Sequence, residues 1–472
     1  MANVNASSTM PRLVVAGLSG GAGKTLVTLG LLLAARRRGI ETGVFKKGPD
    51  YIDAAWLSWA SGHPTHNLDT FLMGSDGAAA AFRRYAFPGA INVIEGNRGL
   101  YDGFDAQGTH STAELAKVLA APVVLVLDAT KVTRTAAAMV LGCQHLDCQV
   151  NLAAVILNRV SGTRHEKVLR ESIEGACGIP VLGAIPKLSG AHLVPERHLG
   201  LVVPEDYPDD EALRATLDQA VEKSLDFDRL WAIARRAPEV THAAPLAATS
   251  ADGTGLKIAY LRDSAFSFYY PENLDSLRAV GAELLPVPAL TAGDLPQDFS
   301  ALYVGGGFPE VHAEALAANG SFLAALRNAA ERGLPIYAEC GGLMLLSRGI
   351  IWEGRRHAMA GVLPFEVRVT GHPQGHGYVE LKVDAENAFF PVGSTLRGHE
   401  FHYSAIAGEF ALPPTACEVR RGVGCGAGRD AIVAGNLWAS YTHLHALGTP
   451  QWAAGLLNAA RRYAGGTCAA PS

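Results

Sequence analysis

Gly17-Leu18-Ser19-Gly20-Gly21-Ala22-Gly23-Lys24-Thr25 is the stretch on which the reading of this chain turns. The apolar run Leu13-Val14-Val15-Ala16 precedes it, and a run from Thr25 to Arg38, apolar with a basic end, follows. Strand, glycine loop and helix in that order make a phosphate cradle. Glycines let backbone N–H groups close on phosphate oxygens, and the helix N-terminus adds partial positive charge. Gly20, Gly21 and Gly23 supply the loop, Lys24 a full charge, and Thr25 a hydroxyl for Mg²⁺. Leu18 stands where a standard loop has glycine, so the spacing is a variant. Ser19 stands where partitioning ATPases carry a signature lysine, which counts against a lysine-swapping switch.

Outward from this loop, short apolar runs alternate with helical patterns as far as Tyr207. Strands are expected at Leu13–Ala16, Gly43–Lys46, Ile91–Glu95, Val123–Asp128, Ala153–Asn158 and Val181–Ile185. Several are nearly continuous Val, Ile and Leu, as parallel strands covered on both faces should be. The pattern predicts a doubly wound α/β domain with ligands at the carboxyl ends of its strands. Residues 209–236 read as helical, and 237–255, rich in Ala, Pro, Thr, Ser and Gly, read as a linker. A second α/β pattern starts at Lys257–Leu261 and continues through Glu283–Pro286, Ala301–Val304 and Pro335–Ala338. The expected division is 11–207, 208–255, 256–464 and a frayed tail, 465–472.

Composition narrows the class. The 472 residues exceed one compact core, and 49% hydrophobic with 18% charged residues describes a globular chain. A net charge of -5 argues against a general nucleic-acid binder. No apolar run approaches the roughly 18 residues a membrane span needs. The first ten residues lack the basic and apolar blocks of a signal peptide. Seven scattered cysteines without a close pair fit a reducing cytoplasm better than a zinc site or disulfide framework.

Two further stretches carry chemistry. Lys46-Lys47-Gly48-Pro49-Asp50-Tyr51-Ile52-Asp53 sets two lysines beside two carboxylates at a strand end. The lysines suit transferred phosphoryl oxygens and the carboxylates suit Mg²⁺. Glu95, closing Ile91–Ile94, reads as an acid of the same site, and Asn158 as a residue that could read a base edge. The glycine-rich run Gly96-Asn97-Arg98-Gly99-Leu100-Tyr101-Asp102-Gly103 suggests a loop pressed against an anionic substrate. In the second half, Pro335-Ile336-Tyr337-Ala338-Glu339-Cys340-Gly341-Gly342 is an apolar strand ending in a cysteine elbow. The following helix N-terminus is expected to lower the thiol pKa. Gly306 and Gly341 are the expected oxyanion donors, and His443, in Ser440-Tyr441-Thr442-His443, the expected base.

Together these motifs resemble the cobyrinic acid a,c-diamide synthase family from about residue 12 to 446. The resemblance rests on Ser19–Thr25, Lys46–Asp53, Asn67-Leu68-Asp69, Ala338–Gly342 and Ser440–His443. It implies a dethiobiotin-synthetase-like P-loop domain joined to a class I-type glutamine amidotransferase domain. The implied reaction uses MgATP to phosphorylate a tetrapyrrole acetate and ammonia from L-glutamine to displace the phosphate. Lys24, Thr25 and Lys46 would contact phosphates, Asp50 and Glu95 with Thr25 would hold Mg²⁺, and Asn158 would read adenine. Asp53, Asn97, Arg98, Tyr101 and Asp102 are the candidate substrate-binding residues. His445 stands where class I glutaminases usually carry a Glu, and relatives commonly lack that Glu, so a Cys–His dyad is expected. Asn97-Arg98 replaces the Val-Met of cobalamin-pathway members and is similar to relatives acting on sirohaem or sirohydrochlorin-type rings. Cobyric acid synthase and a P-loop regulatory ATPase are the other readings. A homodimer is left open.

Overall fold

The computed structural model describes residues 10–188, 196–197, 200–207, 210–240, 251–408 and 413–466. The expected frayed tail beyond 466 and the linker core 241–250 lie outside them, as does most of the N-terminal stretch. The described residues fall into two compact units, one within Met1–Pro195 and Leu201–Leu246, the other within Glu196–Gly200 and Ala247–Ser472.

The first unit is built on seven strands: β1 Arg12–Gly17, β2 Thr42–Lys47, β3 His66–Leu68, β4 Ile91–Gly99, β5 Val123–Asp128, β6 Leu152–Val160 and β7 Val181–Pro186. They pair in the order β3-β2-β4-β1-β5-β6-β7, every neighbour parallel. The six expected strands are present, most with a residue or more added at one or both ends. The short β3 had no apolar run to announce it. β1 and β2 are buried along their whole length, so their apolar runs lack the alternation of a half-exposed strand. Helix α1, Lys24–Arg37, starts at the loop; its Leu and Ala residues favour helix and Arg36 and Arg37 complement the dipole at its end. Gly39, at φ +66, then takes the left-handed position that ends it.

The helices Asp210–Glu222 and Phe227–Arg235 belong to this unit. A Cβ on Gly30 of α1 would lie 2.3 Å from Val221, so glycine permits the close crossing. Arg37 pairs with Glu222 and, at 3.5 Å, with Asp218 across the same contact. Trp231 and Leu230 are buried under the second helix.

The second unit holds a ten-stranded sheet. Its first five strands, Glu283–Val287, Lys257–Leu261, Ala301–Val304, Ile336–Glu339 and Leu437–Ser440, are parallel. The next five are antiparallel: Arg429–Ala434, Thr415–Arg421, Gly375–Val383, Thr395–His402 and His443–Leu444. Only Tyr441 and Thr442 separate Leu437–Ser440 from His443–Leu444, yet the two strands stand fifth and tenth in the sheet. The sheet therefore curls back on itself. Alternate residues of Lys257–Leu261 feed two cores, Ala259 and Leu261 into one, Ile258 and Tyr260 into the other. Trp438 and Trp452 fill the second. Each fully buried Leu or Val here contributes about 1.5–3 kcal/mol.

Candidate active site

The glycine loop follows β1, which lies between β4 and β5, the place where an open parallel sheet gathers ligands. Ser19, Gly20 and Gly21 form an exposed crest, while Lys24 below is buried. Gly23, at φ +93, caps α1, and a Cβ there would overlap Asn158 Nδ2 at 2.0 Å. Gly23→Ala is therefore expected to lower stability by about 2 kcal/mol and to weaken nucleotide binding, measured by thermal unfolding and by ATP titration.

Strand register assembles the charged groups. Lys46 on β2 and Val15 on β1 both stand opposite Glu95 on β4. Lys46 Nζ donates to Glu95 Oε1 at 2.6 Å, to Asp53 Oδ2 at 2.5 Å and to the Gly96 carbonyl at 3.3 Å. Thr25 Oγ1 donates to the same Glu95 oxygen at 3.2 Å, and the Asp53 N–H donates to Asp50 Oδ1 at 2.8 Å. Lys24, Thr25, Lys46, Asp50, Asp53 and Glu95 thus form one cluster. Burial opposes the Lys46 charge, but Asp53, Glu95 and Asp50 outweigh it and raise its pKa. Burial, reinforced by Asp53, pushes Asp50 up to about 7, and burial likewise raises Glu95 against the pull of Lys46. Burial and the neighbouring Lys46 lower Lys24.

Glu95 Oε2 is buried without a hydrogen-bond partner. An orphaned carboxylate oxygen, with the Thr25 hydroxyl at its sister oxygen, fits a divalent cation. Among the described residues no group of three or more His, Cys, Asp or Glu forms a closed metal cage. Magnesium needs none, since water and phosphate oxygens complete its shell.

Asn158 is placed beside the loop, donating to the Ala22 carbonyl at 2.9 Å and accepting from the Arg159 N–H. The glycines after Glu95 have internal reasons. A Cβ on Gly96 would strike Thr112 at 2.7 Å, one on Gly99 would strike Asp102 at 2.5 Å, and one on Gly103 the Thr109 carbonyl at 2.3 Å. Asp102 accepts the Gly99 N–H, and the Tyr101 hydroxyl donates to the Cys143 carbonyl at 2.6 Å. Asn97 accepts from the Arg98 N–H, while the Arg98 side chain is exposed. Two residues outside the sequence-based candidates brace the site. Asn67 donates to the carbonyls of Gly48 and Asp50, and Asp69 caps the helix Thr70–Tyr85, 3.7 Å from Lys47 Nζ.

In the second unit Cys340 closes its strand at φ +49, ψ -100, and the six-residue helix Gly341–Leu346 follows. A side-chain-bearing residue in that backbone state is strained, as a nucleophile elbow is. The Cys340 N–H donates to the Ser440 carbonyl at 2.7 Å, which ties the elbow to the strand leading to His443. The glycine loop after Ala301–Val304 touches both: a Cβ on Gly306 would lie 2.6 Å from His443 Cε1, and one on Gly341 3.1 Å from the Gly307 nitrogen. The elbow, Gly306, Gly341 and His443 are thereby brought together. The thiol does not follow the expected lowering. Burial, then the charge of Glu310, pushes it up, and the Gly341 N–H does not offset them. A six-residue helix carries few aligned dipoles, so its N-terminus is a weak counterweight.

His443 stacks on His399, its cross-strand partner, at 4.9 Å and 19°. Burial, with His443 and His445 adding, holds His399 well below the usual histidine range. His445, two residues past His443, faces Glu272 at 3.5 Å. Asp430, fully buried, accepts from the Tyr441 and Thr442 N–H groups and the Thr442 hydroxyl, fixing the approach to His443.

Two family models match: the CobQ/CobB/MinD/ParA nucleotide binding domain over residues 13–202, and the CobB/CobQ-like glutamine amidotransferase domain over 257–451. The cobyrinate a,c-diamide synthase of Magnetococcus marinus is 42% identical over 94% of this chain and 96% of its own. The Chain belongs with it. It is a member of the cobyrinate a,c-diamide synthase family. Relatives of the same name from Syntrophotalea carbinolica and Listeria innocua are 42% and 38% identical, each covered over 96% of its length. The family membership accounts for the joining of a P-loop unit to a cysteine-elbow unit in one chain. Among the described residues no helix is long and apolar enough to cross a membrane.

Proposed function

We propose that the chain catalyses ATP- and glutamine-dependent amidation of the a and c acetate side chains of cobyrinate, the reaction named in its relatives. The observation that carries this reading is the presence of both the Thr25–Lys46–Glu95 cluster and the Cys340–His443 elbow in a chain that such a relative matches over 94% of its length. In the second unit His443 takes the thiol proton and Cys340 Sγ attacks the carboxamide carbon of glutamine. The N–H groups of Gly306 and Gly341 hold the oxyanion, the imidazolium returns its proton to the leaving nitrogen, and water later hydrolyses the thioester to glutamate. In the first unit a substrate carboxylate oxygen attacks the γ-phosphorus of ATP and ADP leaves. Ammonia then adds to the acyl carbon and phosphate departs. A carboxylate is a poor electrophile, and phosphorylation gives it a leaving group.

Gly20, Gly21 and Gly23 cradle the phosphates, with Lys24 and Lys46 balancing their charge. Thr25, Asp50 and Glu95 would hold Mg²⁺, which when bound neutralises charge on the β- and γ-phosphates. Asn158 is assigned to the adenine side. Asp53, Asn97 and Arg98 face the ring substrate, and Tyr101 and Asp102 shape that loop from within. The working division is a synthetase domain, 11–207, a helical segment and linker, 208–255, whose helices pack on that domain, and an amidotransferase domain, 256–464, in a cytoplasmic enzyme.

The exposed Arg98 favours a second reading, a sirohaem or sirohydrochlorin-type ring. The test is incubation with ATP, Mg²⁺, glutamine and cobyrinic acid, hydrogenobyrinic acid or sirohaem, read by mass. Double amidation of cobyrinic acid is expected. Amidation of sirohaem alone selects the second reading, and amidation of no ring overturns both.

A further inference from the structure

Glu339 directly precedes the nucleophile and is fully buried. Its Oε1 accepts the Leu444 N–H at 3.1 Å, and its Oε2 accepts the Tyr303 hydroxyl at 3.2 Å. These bonds fix a carboxylate whose Oε2 lies 3.5 Å from His443 Nδ1. An imidazole that takes a proton at Nε2 carries its own hydrogen on Nδ1, and a carboxylate there sets the tautomer and favours the imidazolium that forms. The residue two places after His443 cannot do this. His445 Nδ1 accepts the Leu447 N–H at 3.2 Å, and its Nε2 is turned to Glu272. His399, stacked on the His443 face and bonded to the Tyr270 hydroxyl at 3.1 Å, holds the ring plane but faces it with no charge.

We propose that Glu339 is the positioning residue for His443, a carboxylate supplied by the strand that bears the nucleophile and not by the strand that bears the base. This rests on the reading of Cys340 and His443 as a glutaminase pair. The site is then a Cys–His–Glu arrangement in which one strand end provides both outer members. The curl of the sheet makes that geometry available, because it returns His443 to the strand Ile336–Glu339 from the far edge.

Glu339→Gln keeps the size of the side chain and can still accept from Leu444, but it turns a neutral amide toward Nδ1. Turnover with glutamine is expected to fall about a hundredfold or more with KM little changed, while amidation driven by ammonium salt continues. The pH at which iodoacetamide alkylates Cys340 should move upward, because the imidazolium that accompanies the thiolate loses its carboxylate. The other groups facing the pair, Glu310, Glu400, His399, Tyr303 and Tyr441, are left in place. Glu339→Asp, which keeps the charge on a shorter arm, should fall between the two and serves if the first variant does not fold. Wild-type turnover or an unshifted alkylation profile in Glu339→Gln, or a Glu339→Asp variant that is folded yet no better than Glu339→Gln, overturns the proposal. Cys340→Ala run alongside separates the two claims. If glutamine use survives it, the glutaminase reading falls; if it does not and Glu339→Gln behaves as wild type, only the Glu339 role falls.

Discussion

Cys340→Ala is expected to cut glutamine-driven amidation by about 10⁴-fold or more while ammonium-driven amidation continues. Removing the sulfur removes the thioester, and among the described residues of the second unit the other two cysteines are not on the elbow: Cys417 lies inside the strand Thr415–Arg421, and Cys425 is hydrogen-bonded to Asp430. The effect on folding should be small. Alanine occupies less of the same buried space, and the φ of +49 costs it about what it costs cysteine. The measurement is product formation with each nitrogen source, together with loss of the covalent glutamyl adduct by intact mass. Loss of both activities in a folded variant would mean that the two units do not carry separable half-reactions.

Lys46→Ala is expected to act on both stability and chemistry. Lys46 is 1% exposed and answers two carboxylates, of which Glu95 is fully buried. Removing one partner of a buried ion pair costs about 3–5 kcal/mol, because the remaining charges lose their compensation. For a unit of this size that corresponds to a melting temperature lower by about 10 °C. The deficit has a pH sign. Asp50 already stands near 7 and Glu95 is raised with Lys46 present; without it both move further above their unfolded values. The native state then holds the extra protons, so the variant should recover stability as pH falls from about 8 to about 6. Product should be lost from glutamine and ammonium alike. An unchanged melting temperature at both pH values would remove Lys46 from its structural role.

Much of the first unit was legible because its signals are local. Val, Ile and Leu runs mark parallel strands, and the glycine loop marks the helix start. β3 was not, since His66-Asn67-Leu68 has one apolar residue and is held by pairing with β2. In the second unit the four parallel strands before the elbow could be read, but the antiparallel half could not. Strands such as Gly375–Val383 and Thr395–His402 mix His, Glu, Lys and Arg with apolar residues, and their pairing is set by distant neighbours. That half decides the environment of His443. His399 therefore carried no signal, whereas Glu339 was visible in the motif but silent about its partner. In the Gly96–Gly103 loop the glycines are also required by close approaches within the fold, to Thr112, Asp102 and the Thr109 carbonyl, a demand that the sequence does not display.

The helices Asp210–Glu222 and Phe227–Arg235 also bear on how this protein can be dissected. The seven-stranded sheet is complete at Pro186, so a fragment ending shortly afterwards would look like a finished nucleotide-binding body. It would instead open the seam over Gly30, strip Arg37 of Glu222 and uncover the surface beneath Trp231. Such a fragment invites aggregation, whereas one carried through about residue 240 keeps its own wrapping.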